Sequence, residues 1–188
     1  MSFLPQIIGV PHRVTRRGFL ATLAAAAPAL VLPTPLSAEA AGPRALRFAH
    51  THTGERLDVE YCGRDGYLPD ALAEINRFLR DFRTGEVHAI DPALLDFLHH
   101  LRRTTESPRA FEVISGYRSP HTNAALRSKS EGVAARSLHM DGRAIDIRLP
   151  GVKLVALRDA ALEARLGGVG FYPASNFVHV DTGRIRRW

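Results

Sequence analysis

One cysteine, one tryptophan and two methionines among 188 residues set the first limits on this chain. With Cys62 alone no intramolecular disulfide can form, and the thiol reads as a small buried hydrophobe. Stability has to come from packing, and any bound metal adds to it by favouring the folded state. No comfortable membrane span is present either, because the apolar stretch from Gly18 to Leu32 is short and broken by Thr22 and Pro28. Basic residues outnumber acidic ones by 25 to 19, yet they are scattered and interleave with no aromatic platform. That pattern argues against nucleic acid as a partner.

The first 40 residues read as a targeting segment. Thr15-Arg16-Arg17-Gly18-Phe19-Leu20 is a twin-arginine signal, and Ala38-Glu39-Ala40 offers small residues at the cleavage positions, so processing is expected after Ala40. No stable membrane anchor would remain, and export points to the periplasm of a bacterium. Losing Arg13, Arg16, Arg17 and Glu39 leaves 22 basic and 18 acidic residues, a net charge of +4. A modest positive surplus on an exported domain fits an anionic polymer such as the cell wall. Residues 41–188, about 148 in number, suffice for one domain with a sizeable core.

What is present is concentrated in two stretches. Ser137-Leu138-His139-Met140-Asp141-Gly142-Arg143-Ala144-Ile145-Asp146-Ile147-Arg148 is followed about thirty residues later by Phe177-Val178-His179-Val180-Asp181. Two imidazoles and a carboxylate form the mixed N/O set that a catalytic Zn2+ accepts, with the fourth position left to water. Asp141-Gly142 is a turn signal, and Ala144 to Arg148 alternates like a strand. A reversal at Gly142 would let His139 and Asp146 face each other. Strand alternation puts Phe177, His179 and Asp181 on one face, so the second imidazole can come from a neighbouring strand.

The pattern Ser-x-His-x-x-Gly-x-Ala-x-Asp from Ser137 to Asp146, with a later strand histidine, resembles the zinc-peptidase family M15. Ser115-Gly116-Tyr117-Arg118-Ser119-Pro120 and the ending from Gly168 to Trp188 resemble its DUF882 branch, and the likeness runs from Arg44 to Trp188. The resemblance implies zinc held by His139, Asp146 and His179, and hydrolysis of the peptide stems that cross-link peptidoglycan. It also implies that Arg118 lies beside the metal and engages a substrate oxygen, a task suited to the rigid guanidinium fork. Better known M15 relatives carry an acid three positions before the second histidine, where this chain has Asn176. Asp181 is therefore the expected general base, or else a partner that orients an imidazole, with His121 in reserve. A D,D-carboxypeptidase and a non-catalytic wall-binding module are the rival readings.

The remaining patterning gives an α+β fold: a small, mainly antiparallel sheet bearing the metal site, helices packed on one side, and an N-terminal hairpin appended. The hairpin spans Arg44 to Cys62. Helices are expected from Pro69 to Thr84-Gly85, from Asp91-Pro92 onward, from Ser119-Pro120 through Leu126, and from Val152 to Leu166. Phe111–Ser115 and Val169–Tyr172 read as strands, and Phe171, Tyr172 and Phe177 as core. Polar residues 127–136 read as a loop bordering the cleft. His50, His52, His99 and His100 carry bland structural roles.

Overall fold

The computed structural model of the protein describes residues 42–130 and 132–188. The expected twin-arginine segment and cleavage position lie outside the described residues. Among the described residues no helix is long and apolar enough to cross a membrane.

Eight strands form a single sheet: β1 (Arg44–His50), β2 (Arg56–Gly63), β3 (Gly66–Tyr67), β4 (Phe111–Ser115), β5 (Ala144–Arg148), β6 (Gly168–Tyr172), β7 (Phe177–Asp181) and β8 (Arg186–Arg187). Their spatial order is β3-β2-β1-β4-β5-β7-β6-β8. Pairing is antiparallel except for β1 with β4 and β6 with β8. The hairpin expected as an appendage is instead part of this sheet, because β1 runs parallel to β4 with Phe48 opposite Phe111 and His50 opposite Val113. The sheet is correspondingly larger than expected.

Strand alternation divides the sheet between two tasks. Phe48 on β1, Phe111 and Val113 on β4, Ile145 and Ile147 on β5, and Val178 and Val180 on β7 are buried in one core. Helices α1 (Pro69–Phe78), α2 (Pro92–Thr104) and α4 (Leu154–Ala164) contribute Ile75, Leu94, Leu95, Leu98, Leu101 and Leu157 to the same core. On β5 and β7 the alternate residues, Asp146, His179 and Asp181, therefore face the other way. The helix-covered face stabilises the molecule; the opposite face is free for chemistry.

The helices start and stop for local reasons. Asp91 caps α2 by accepting from the Ala93 amide at 3.0 Å, ahead of Pro92. Helix α1 ends at Phe78, earlier than its apolar spacing implied. The Leu79 carbonyl there accepts from the Tyr117 amide at 2.8 Å, so it serves a neighbouring segment. Gly116 makes that approach possible, since a Cβ at this position would overlap the Leu79 carbonyl oxygen.

Asp81 completes this junction. Its buried carboxylate accepts from the Ser119 amide at 2.9 Å, the Ser119 hydroxyl at 2.6 Å and the Arg83 amide at 3.0 Å. Ser119 in turn caps helix α3 (Pro120–Arg127) through the Thr122 amide. Burial pushes the Asp81 pKa up, but hydrogen bonds from Ser119, Thr122 and Arg83 outweigh it and hold the carboxyl down at about 2. A pKa below the unfolded value means stability that is present above pH 3.8 and lost as pH falls toward 2. Urea unfolding should therefore show Asp81→Asn destabilised by about 2 kcal/mol near neutrality. The gap from the wild type should shrink below pH 3.8 and close as both are taken to pH 2 and under.

Candidate metal centre

His139, Asp146 and His179 come from three different pieces of backbone. In β5 and β7, Asp146 and His179 stand directly opposite each other in the antiparallel register, so their side chains leave the sheet side by side. His139 lies in a 3-10 turn, Leu138–Asp141, closed by Gly142 in the left-handed conformation at φ 65°. A Cβ at Gly142 would overlap the Ala89 carbonyl oxygen, so both its dihedral and its surroundings require glycine. The reversal expected at Gly142 is thus present, and it turns the His139 ring back over β5.

The three side chains are buried and meet at three atoms. His139 Nε2 lies 3.2 Å from His179 Nδ1 and 3.3 Å from Asp146 Oδ1, and His179 Nδ1 lies 2.8 Å from that same oxygen. The outward nitrogens have partners of their own. His139 Nδ1 faces the Gly116 carbonyl at 2.7 Å, and His179 Nε2 faces Asp181 Oδ2 at 3.1 Å. These acceptors assign a proton to each outward nitrogen, leaving three lone pairs pointed at one another. Three acceptors this close repel unless a cation sits among them. Tetrahedral zinc with bonds of about 2.05 Å spaces its ligands about 3.3 Å apart, so the donor set fits such an ion in type and, at 3.2 and 3.3 Å, in two of its three separations.

Protonation tendencies follow from the same contacts. Burial drives the His139 pKa down, although Asp146 opposes it. For His179 burial acts in the same direction, but hydrogen bonds to Asp146 and Asp181 prevail and the pKa is raised. The Asp146 carboxyl is also opposed by burial, yet the two imidazoles hold it well below the usual carboxylate range.

Asp181 does not face the opening. Its fully buried carboxylate takes hydrogen bonds from the Gly168 amide at 3.2 Å, the Gly183 amide at 2.8 Å and both terminal nitrogens of Arg186 at 3.0 and 2.7 Å, besides the His179 ring. Arg118 sits on the opposite flank. Its amide donates to the His139 carbonyl at 3.1 Å, and its guanidinium lies 3.7 Å from Asp146 Oδ2. Its remaining side-chain contacts, Asn123 and Ser115, are at 3.5 Å, and its Nε is buried with no partner among the described residues.

Above these atoms opens a cleft of about 460 Å³. One wall is formed by Ser130, Gly132, Val133, Ala134, Arg136, Ser137 and Leu138; the other comprises Tyr172, Ser175, Phe177, Arg186 and Trp188. The polar loop therefore does border the cleft. Tyr172 and Phe177, expected in the core, line the wall instead, and Phe171 alone of the three packs against the core. Among the described residues lining the cleft, Asp146 is the one carboxylate. His121 lines a separate pocket with Arg83 and Lys129 and is absent from the lining of this cleft. Asn176 occupies a left-handed turn position at φ 54° and lines a groove with Glu112 and Arg148.

The family described as peptidoglycan L,D-endopeptidase MepK, a branch of the M15 peptidases, matches residues 38–188. The chain belongs to this family. It is 44% identical over 175 residues to the peptidoglycan L,D-endopeptidase MepK of Escherichia coli K12, covering 92% of this chain and 96% of that protein. It is 45% identical over 147 residues to a probable peptidoglycan L,D-endopeptidase MepK of Haemophilus influenzae, covering 78% and 79% respectively. A solved structure, the L-Ala D-Glu endopeptidase ChiX of Serratia marcescens, aligns at a TM-score of 0.34 and 20% identity over 50% of this chain and 68% of that one.

Two parts of this MepK-family site escaped the sequence patterns. The Gly116 carbonyl that orients His139 has no side-chain signature. Trp188 lies over His179, with ring centroids 5.2 Å apart, and its only trace in sequence is the alternation that sets Arg186 and Trp188 on one face. Metal counting by plasma mass spectrometry should give about one divalent ion per wild-type chain and almost none in His139→Ala or His179→Ala. Asp181→Asn should still bind, but about 10- to 100-fold more weakly in competition with a chelator.

Proposed function

We propose that this chain is a zinc-dependent endopeptidase that hydrolyses peptide cross-links of peptidoglycan, working in the periplasm after export by the twin-arginine route. The observation that carries the reading is the trio of inward-facing acceptor atoms on His139, Asp146 and His179, set at the floor of an open cleft in a chain of the MepK family. Zinc, when bound there, supplies Lewis acidity toward a peptide carbonyl and an acidified water. Everything else is the work of the protein's own groups.

Arg118 presents an unpartnered buried Nε and loosely held terminal nitrogens beside the ligands, so its guanidinium is free to donate to a substrate carbonyl or carboxylate oxygen. Burial lowers its pKa, but a guanidinium stays protonated in any accessible range, so its charge is constant. Asp181, expected as the general base, is read here as the positioning partner of His179. A carboxylate already accepting from two amides, an arginine and an imidazole, and shielded from the cleft, has no position from which to take a proton from water. Its hydrogen bond fixes the His179 tautomer so that Nδ1 keeps its lone pair for the metal.

The cross-link can be narrowed by stereochemistry. An L,D bond joins the carbonyl of an L centre to the amine of a D centre. In murein the diaminopimelate-to-diaminopimelate link has that form, whereas the D-alanyl-to-diaminopimelate link joins two D centres. The names of the relatives therefore favour the former as this chain's substrate. Arg118 and Arg136 in the cleft give it the charge that anionic peptide stems require.

Digestion of purified sacculi with the zinc-loaded mature chain, followed by chromatography of the muropeptides, tests the proposal. Loss of diaminopimelate-linked dimers, abolished by a chelator and restored by zinc, is the expected outcome. Release of free D-alanine would identify a carboxypeptidase instead, and co-sedimentation with sacculi without any product would identify a binding module.

A further inference from the structure

The aromatic wall of the cleft carries more construction than a metal site needs. Along β6, Gly168, Gly170 and Tyr172 share the face of Asp181, His179 and Phe177, their partners in the β6–β7 register. Two of those three positions have no side chain, and the space is filled from elsewhere. A Cβ at Gly168 would run into the Arg186 guanidinium, and one at Gly170 into the Trp188 indole. The filling segment is tied down beside β6: the Trp188 amide donates to the Val169 carbonyl at 3.3 Å and the Phe171 amide to the Trp188 carbonyl at 3.1 Å. The indole therefore lies in a trough, against His179 on one side and with the Arg186 guanidinium 4.7 Å from its ring centre.

At the end of this trough Trp188 Nε1 lies 2.6 Å from Tyr172 Oη. An indole nitrogen only donates, so the phenol oxygen is the acceptor and the phenol proton is left over. No hydrogen bond donated by Tyr172 occurs among the described residues. The ring is held by stacking on Phe177 at a centroid distance of 4.6 Å, and it lines the same cleft as the three inward atoms and Arg118. A fixed phenol, relieved of other duties and open to the substrate, is a preorganised donor.

We propose that Tyr172 is a catalytic residue whose O–H donates a hydrogen bond to the carbonyl oxygen of the scissile peptide, and that Trp188 is the positioning residue that fixes the phenol oxygen. This rests on the peptidase reading given above. The phenol keeps its proton throughout, and no bond to it forms or breaks. Its contribution grows as negative charge builds on the carbonyl oxygen, so it stabilises the transition state more than the bound substrate.

Three variants and two readouts test the assignment on the zinc-loaded mature chain. Tyr172→Phe should lower kcat about 100-fold with KM changed less than about 3-fold. Its metal content should equal that of the wild type, and calorimetry should show a phosphinate dipeptide binding more weakly by a factor comparable to the loss in kcat. Trp188→Phe keeps an aromatic face but removes the N–H, and should cost about 10-fold in kcat. The double variant should be no slower than Tyr172→Phe alone, because the two residues act through one hydrogen bond. An unchanged kcat in Tyr172→Phe, a loss confined to KM, or undiminished phosphinate binding would overturn the role. If the wild type leaves cross-links intact, the peptidase reading fails together with this one; an active wild type with an equally active Tyr172→Phe sinks the Tyr172 assignment alone.

Discussion

Mutual repulsion among three lone pairs is the constraint around which this molecule is arranged. Left alone, His139 Nε2, His179 Nδ1 and Asp146 Oδ1 would rotate apart or pick up a proton. Rotation is resisted by a specific contact on the far side of each. The Gly116 carbonyl holds one imidazole, the Asp181 carboxylate holds the other, and the β5–β7 register fixes where Asp146 leaves the sheet. These outer contacts decide which nitrogen of each ring looks inward, and so give the site its preference for a cation.

Such restraint is affordable only on a rigid support. The face of the sheet behind the site is packed by α1, α2 and α4, and Ile145, Ile147, Val178 and Val180 sit in that core one residue away from the ligands. Period-two alternation thus couples the two tasks in the same strands: any shift in register that moved the ligands would also pull the core residues out of their packing. The junction at Asp81, Ser119 and Tyr117 extends the same rigidity to Arg118, which has no strand of its own.

The candidate ligands were legible because their chemistry and their spacing are local. His139 to Asp146 spans one turn and half a strand, and Phe177 to Asp181 displays its alternation openly. The helices over 92–104 and 120–127 were legible from their caps, Asp91 and Ser119. Three things were not. The parallel pairing of β1 with β4 joins segments some sixty residues apart, and alternation says nothing about which edge a hairpin joins. The role of Asp181 depends on how many donors surround it, and although Gly183 and Arg186 are near in sequence, neither their bend back onto the carboxylate nor the approach of Gly168 from β6 has a pattern in the residues themselves. Tyr172 and Phe177 look like core residues in any window of sequence, because the trough beside them is made by the side chains that Gly168 and Gly170 lack.

The indole laid over His179 has one more property. It is the sole tryptophan of the chain, and its ring centre stands 5.2 Å from that of the His179 imidazole. Ultraviolet emission excited at the red edge therefore comes from a single fluorophore in contact with the site. A divalent charge placed on that imidazole would perturb the excited state directly, so the indole would report optically on an ion held there.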